Sequence, residues 1–414
     1  MSKPFDPAAP FYAWSEDLSG MARGTLLRSE PLAESELIRG AARGWRVLYV
    51  SIGCAGTEIA VSGLVFLPNG EPPQEGWAVV SYAVGTTGIT SIAAPSLDPL
   101  ATVLGYPAWT TIPSFLQAKY AVVLSDQEGR GTAGPHPYLH GPTLAANQID
   151  AVRAGRELTS ELSAIWVAMG ASEGGQSTLF TAAIATATAP ELDYRGAVAE
   201  CPPTEWSTLV ADMTDMARIL LPLVLHAASY HDPSVEVEAH LNSDGLALWN
   251  AWCTSRLAEP GAVLDTFMPM LGKPLFRLAP GDSTHAEAAA RIFANIDMSG
   301  LEAPRGGFDR PILLTEGAVD EYCVPGTVGR LAEELSAAGC EVEYHCYEAN
   351  HMDLPYLSLA DTLPFVRRVT GRAPLRSLRQ GGKAADLPAE ARGAPVSPVT
   401  SVSVASVSKA GSAI

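Results

Sequence analysis

Across its 414 residues this chain has no uninterrupted apolar run long enough to span a bilayer, so a membrane-spanning helix is not expected to organise it. Positive charge is also scarce, with 27 Lys and Arg against 45 Asp and Glu and a formal net charge of -18. That balance argues against nucleic acid as a partner and against a polybasic membrane anchor. The six cysteines (Cys54, Cys201, Cys253, Cys323, Cys340 and Cys346) form no CxxC pair. Zinc and dithiol chemistry are therefore not expected, and buried thiols are favoured over disulfides. No internal repeat is present. The start, Met1-Ser2-Lys3-Pro4-Phe5-Asp6-Pro7, lacks the basic and apolar segments of a signal peptide. On that evidence the chain stays in the cytoplasm, or its leader is absent.

What is present organises itself around Trp166-Val167-Ala168-Met169-Gly170-Ala171-Ser172-Glu173-Gly174-Gly175-Gln176, an apolar run that ends in G-x-S-x-G and leads into a helical pattern. A strand turning sharply into a helix holds its turn residue in a strained conformation that pushes the side chain out above a sheet. Gly170 and Gly174 remove Cβ atoms where strand and helix pass closely, and the helix N-terminus offers N–H groups to an oxyanion. In a chain with 37 glycines such a motif also arises by accident. Its context decides.

That context is an alternation of strands and helices. Trp45–Val50 and Glu58–Leu67, separated by Gly53-Cys54-Ala55-Gly56-Thr57, read as an antiparallel pair at a sheet edge. Trp77–Val84 and Tyr120–Ser125 are continuous apolar runs, as in strands covered on both faces, and residues 143–160 show a helical face with Ala145, Ile149 and Val152. Gly196–Glu200, Pro311–Gly317 and Val342–Tyr347 continue the strands, with a helix at Val328–Ala338. Together these patterns predict an α/β fold with a mostly parallel central sheet flanked by helices. The expected organisation is an N-terminal arm over residues 1–44, a core over 45–201 and 308–372, a helical cap inserted at 202–307, and a disordered tail at 381–414.

A serine hydroxyl needs a base within hydrogen-bond reach and a carboxylate to orient that base. Asp320 follows an apolar strand in Gly317-Ala318-Val319-Asp320, with Glu316, Glu321 and Asp353 as rivals, and His351 lies just past the last strand. His345 sits inside a strand pattern. His226, His231, His240 and His285 belong to the cap, and His136 and His140 flank prolines in a loop, which suits structural roles. The order Ser172, Asp320, His351 is the α/β-hydrolase order. The second oxyanion N–H is expected in Gly85-Thr86-Thr87-Gly88, at Thr87 first and Thr86 second, beside those of the helix N-terminus. Asp126 and Glu128 could form a catalytic carboxylate pair, but a charged loop after a strand more commonly satisfies backbone donors.

Linked in order, Gly85-Thr86-Thr87-Gly88, Asp126-Gln127-Glu128-Gly129-Arg130-Gly131 with Pro135-His136-Pro137-Tyr138, Gly170-Ala171-Ser172-Glu173-Gly174-Gly175-Gln176, Gly317-Ala318-Val319-Asp320 and the His351 region resemble the secretory lipase family over roughly Phe11 to Gly371. The resemblance implies an α/β-hydrolase with a helical lid, acting on lipid or other acyl esters. It implies Ser172 as nucleophile, Asp320 and His351 as partners, and Thr87 and Glu173 at the oxyanion hole. It also implies no cofactor and at most transient contact with a lipid interface. Three positions depart from relatives: Val84 where many carry histidine, Gln127 where tyrosine is common, and Ala93 where a cysteine is often tied to the cap. The resembled family is mostly secreted. Two other functions suit the same residues: an acyltransferase that resolves the acyl-enzyme with an alcohol or amine, and a binding protein that keeps the fold without catalysis. Product analysis with competing acceptors separates the first, and a phosphonate probe the second.

Overall fold

The apolar runs do assemble into one sheet. A computed structural model of the chain describes residues 10–100, 111–134, 136–205, 214–230, 232–255, 265, 267–294 and 301–372. The tail expected at 381–414 and His231 lie outside them, as do parts of the arm and of the 202–307 insertion. The described residues belong to one unit, Met1–Ala373.

Nine strands lie in the order β1-β2-β3-β5-β4-β6-β7-β8-β9. They are β1 (Leu26–Pro31), β2 (Ala41–Ile52), β3 (Glu58–Pro68), β4 (Trp77–Ala83), β5 (Ala121–Ser125), β6 (Leu162–Ala171), β7 (Asp193–Glu200), β8 (Ile312–Gly317) and β9 (Val342–Tyr347). The first three run antiparallel to one another and β3 runs antiparallel to β5. From β5 to β9 all pairing is parallel. The 1–44 segment is more than an arm: β1 lies within it and extends the sheet edge. Its partner β2 starts at Ala41 rather than Trp45.

Continuous apolar runs form the central strands because helices cover both faces. Side chains alternate between faces with period two. Val79, Val123, Trp166 and Leu314 join one apolar cluster with Ile149 and Val152 of helix α2 (Gly141–Leu158), Leu179 of α3 (Glu173–Thr188) and Leu331 of the helix Thr327–Ala337. Their neighbours Val80, Val122, Val167 and Leu313 join another with Phe115 of α1 (Thr111–Gln117) and Phe365 of the last helix, Leu359–Val369. A one-residue slip in any of these strands would exchange the two sets.

Between β7 and β8 the described elements are α-helices (Asp215–Arg218, Leu221–Ser229, Val237–His240, Ser243–Thr254, His285–Ala294), one 3-10 turn (Met268–Met270) and one isolated bridge, Leu241 to Phe276. They carry an apolar cluster of their own, including Leu223, Leu248, Trp252, Phe276 and Phe293, which Ile89 and Tyr138 of the core loops join.

The parallel register positions the site. Ala83 of β4 stands opposite Gly170 of β6, Ala171 opposite Glu200 of β7, and Glu200 opposite Thr315 of β8. The carboxyl ends of four neighbouring strands therefore finish at one rim, and the loops that leave them start side by side.

Candidate active site

Ser172 leaves the end of β6 with φ 57 and ψ -122 and caps the N-terminus of α3. Its N–H donates to Glu200 O at 2.9 Å, and its carbonyl accepts from Gln176 N at 3.0 Å, so both sides of the turn are fixed. The glycines have the mechanical role the motif suggests. A Cβ on Gly170 would lie 2.3 Å from Gly174 O, and one on Gly174 would lie 2.0 Å from Ala83 O. No side chain fits where β4, β6 and α3 approach so closely.

Asp320 and His351 meet across the ends of β8 and β9. His351 Nδ1 lies 2.7 Å from Asp320 Oδ2, while Asp320 Oδ1 accepts N–H bonds from Tyr322 and Cys323, each at 2.8 Å. An ionised carboxylate only accepts, so Nδ1 carries the proton and Nε2 is left as the basic nitrogen. Both side chains are buried, and the Tyr322 ring lies against the imidazole with 5.0 Å between centroids. Ala171, beside Ser172, and Ala349, two residues before His351, share a small apolar cluster with Cys201 and Leu354. The flanks of the serine and the histidine thus pack together. Among the described residues Ser172 Oγ makes no hydrogen bond, to His351 or to any other side chain.

Two thiols adjoin this pair. Cys201, the first residue after β7, places Sγ within 4.8 Å of a carboxylate oxygen of Asp320 and a ring nitrogen of His351, the spacing of a possible metal site. Asp320 is already engaged by three donors there. Cys323 Sγ donates to Cys201 O at 3.4 Å. Burial pushes the Cys201 thiol up and the Cys323 thiol up to about 12. Burial also disfavours an imidazolium at His351, but Cys201 and the Asp320 hydrogen bond outweigh it, leaving the His351 pKa well above the ordinary 6.5. Sequence reading did not place either thiol at the site. The one available signal was the position of Cys201, directly after a central strand.

Thr86 and Thr87 are buried in the loop that leaves β4. Thr86 Oγ1 pairs with Tyr138 Oη at 3.0 Å, and Thr87 Oγ1 has no partner among the described residues. Glu173, the first residue of α3, has a backbone N–H with no intrahelical acceptor, as every first-turn amide does. Its side chain was not anticipated to matter. It accepts from Arg130 Nη2 at 2.8 Å and lies 2.6 Å from His136 Nε2, all three fully buried. Burial alone would raise the Glu173 carboxyl, but Arg130 and His136 hold it below its usual range. His136 is pushed down by burial and by Arg130.

The rival carboxylates have other partners. Glu316 Oε2 accepts from Gly326 N and Val328 N at the start of a helix, and Glu321 accepts from His351 N. Asp353 accepts from Asn350 Nδ2. Asp126 accepts from Ser62 and Ser96, and Glu128 from Cys54 N, so both tie loops together. His345 pairs with Glu343 at 3.1 Å, His140 caps α2, and His226 and His285 contact the backbone carbonyls of His136 and Phe276.

Comparison with known proteins agrees with this architecture. A Mycobacterium tuberculosis protein described as a probable inactive lipase is 25% identical over 390 residues, covering 89% of this chain and 83% of that protein. Candida antarctica lipase A has a similar fold, with a TM-score of 0.68 at 20% identity over 89% of this chain and 88% of that one. A rice cell wall degrading esterase from Xanthomonas oryzae matches with a TM-score of 0.64 at 20% identity, over 84% and 98%. The family described as secretory lipase matches residues 98–374, most of the chain. With its α/β-hydrolase sheet and this match, the chain belongs to the secretory lipase family.

Proposed function

We propose that this protein is a serine carboxylic-ester hydrolase that works through an acyl-enzyme. The observation that carries the reading is the strained backbone of Ser172 at the β6–α3 turn, whose flank packs with the flank of a buried imidazole held at Nδ1 by a carboxylate. Strain of this kind persists where surrounding structure over-determines it, and such positions cluster at active sites. Ser172 Oγ attacks the ester carbonyl, and His351 Nε2 takes the hydroxyl proton and returns it to the leaving alcohol. Asp320 keeps the imidazole in its Nδ1–H tautomer. Backbone N–H groups of Thr87 and Glu173 receive the negative charge of the tetrahedral intermediate. Water, activated by His351 in turn, releases the acid. No step calls for a metal or organic cofactor. Catalytic hydrogen bonds are often long before substrate binds, and in this reading the Ser172–His351 bond forms as the ester enters.

The helical 202–307 insertion acts as a lid in this reading, offering an apolar acyl pocket and excluding water. Family membership and the insertion's apolar cluster favour lipid or other acyl esters as substrates. The relative described as a probable inactive lipase supports one alternative, a protein that binds an ester-like ligand without turnover.

Hydrolysis of p-nitrophenyl esters from acetate to palmitate, with wild type beside Ser172→Ala, decides between them. The substitution is expected to abolish turnover while the far-ultraviolet spectrum is unchanged. Wild type should also be labelled covalently at Ser172 by an alkyl phosphonate ester. Folded wild type that neither turns over esters nor takes the label would establish the silent reading.

A further inference from the structure

We infer that Arg130 is a positioning residue that sets the spacing of the oxyanion hole; this rests on the ester-hydrolase reading and extends it. Its guanidinium touches both segments that supply the N–H donors. Nε donates to Gly88 O at 2.8 Å, which holds the loop carrying Thr87. Nη2 donates to Glu173 Oε2 at 2.8 Å, which holds the residue whose amide is the other donor. Nη1 donates to Gln127 Oε1 at 2.8 Å and ties the fork back to its own loop. One rigid plane therefore spans the gap between the β4 loop and the start of α3.

The rest of the cluster removes the remaining freedom. His136 Nε2 lies 2.6 Å from Glu173 Oε1, so both carboxylate oxygens are held. His136 Nδ1 lies 2.8 Å from Glu128 O, and Gly131 N donates to Ser91 O at 2.8 Å. Arg130, His136 and Glu173 are fully buried. The loop that presents the arginine takes left-handed backbone at a non-glycine residue, Gln127, with φ 72. None of this is the economical way to stabilise a core. Buried ion pairs replaced by well-packed apolar groups are commonly neutral or more stable, because desolvation cancels most of the attraction. A planar donor fork, by contrast, fixes two acceptors at a set separation, which a lysine ammonium on a flexible stem does not. An oxyanion hole depends on such separation, since its donors must sit where charge develops.

The test is Arg130→Lys, which keeps the charge and loses the fork, with Glu173→Gln, which keeps the backbone donor and loses the ion pair. Steady-state hydrolysis of p-nitrophenyl butyrate is measured beside inhibition by an alkyl trifluoromethyl ketone, which forms an oxyanionic adduct on the serine. Loss of a single oxyanion donor costs on the order of 10²–10³ in kcat, so misplacing two should lower kcat at least about tenfold. KM should stay within about twofold, because the ground-state ester does not need the hole. Affinity for the ketone should fall in the same proportion as kcat, with both read well below the variants' thermal midpoints, which loss of a buried charge partner lowers. A merely structural arginine would not produce that parallel loss.

Folded Arg130→Lys with wild-type kcat would overturn the inference, as would a drop in kcat with ketone affinity unchanged. If Arg130→Lys does not fold, Glu173→Gln alone carries the same comparison. Active wild type with unaffected variants sinks the inference and leaves the hydrolase reading standing. Wild type that is inactive and unlabelled by the phosphonate sinks both.

Discussion

Replacing Ser172 by glycine should remove activity and make the protein more stable. The φ of 57 lies in the left-handed range, but the ψ of -122 is far from the left-handed helical well near ψ +30 to +60 that non-glycine residues use. The mirror image of these angles is ordinary extended backbone, so glycine is at ease where serine is not. Holding an L-residue in such a region costs of order 1–3 kcal/mol. Glycine in turn carries about 0.5–1 kcal/mol more chain entropy that folding must remove. The difference leaves Ser172→Gly more stable than Ser172→Ala by up to about 2.5 kcal/mol, because alanine keeps the Cβ and with it the strain. Both variants lose the proposed nucleophile, which separates stability from catalysis. Equilibrium urea denaturation of the two, with a common slope, reads the difference directly. A glycine variant no more stable than the alanine variant would refute the strain argument, and with it the main observation behind the proposed nucleophile.

Two further outcomes follow from buried titratable groups. Glu200 is fully buried, with Ser358 bonded to Oε1 and no partner for Oε2 among the described residues, and burial lifts its pKa from the ordinary 4.5 to about 7. The folded chain then holds a proton that the unfolded chain releases, so this group's contribution declines as pH rises from 4.5 through about 7 and is level beyond. That interval is worth about 3 kcal/mol. Glu200→Gln should remove the decline, and parallel plots of unfolding free energy against pH for variant and wild type would count against it. At His351 the raised pKa, set by Cys201 and then by the Asp320 hydrogen bond, means that the imidazole is a free base only at higher pH, so the acid limb of kcat/KM should lie above 6.5. A pH–rate profile with its acid limb at or below 6.5 would contradict the raised His351 pKa.

Much of the architecture was legible because the central strands are covered on both faces and so read as unbroken apolar runs. Strand β1 was not. Its sequence Leu26–Pro31 is half exposed and pairs on one side only, which leaves neither an apolar run nor a clear alternation. Ser172 was legible from its glycines, since their positions answer to a local backbone collision between residues a few places apart. The Arg130–Glu173–His136 cluster was not, because its contacts join residues 43 and 37 positions apart and reflect how two loops pack rather than any local period. The position of Glu173 after the serine points to its amide, whereas the partners of its carboxylate depend on that loop packing.

Cys201 falls between these cases, and the register shows why. Parallel strands in near-flush register end at a common rim, so the first residues beyond them are neighbours whatever their separation along the chain. Ala83 opposite Gly170, Ala171 opposite Glu200 and Glu200 opposite Thr315 make such a rim. Whatever follows β4, β6, β7 and β8 directly must then gather there: the Gly85–Gly88 loop, Ser172, Cys201 and the turn to Asp320. Applied to this chain, that rule recovers the serine and the aspartate and adds the thiol, whereas Arg130 and His136 lie further along the loop after β5 and escape it. Side chains that strand ends deliver can be found from sequence once strand order is known. Those that loops deliver depend on packing, which only coordinates supply.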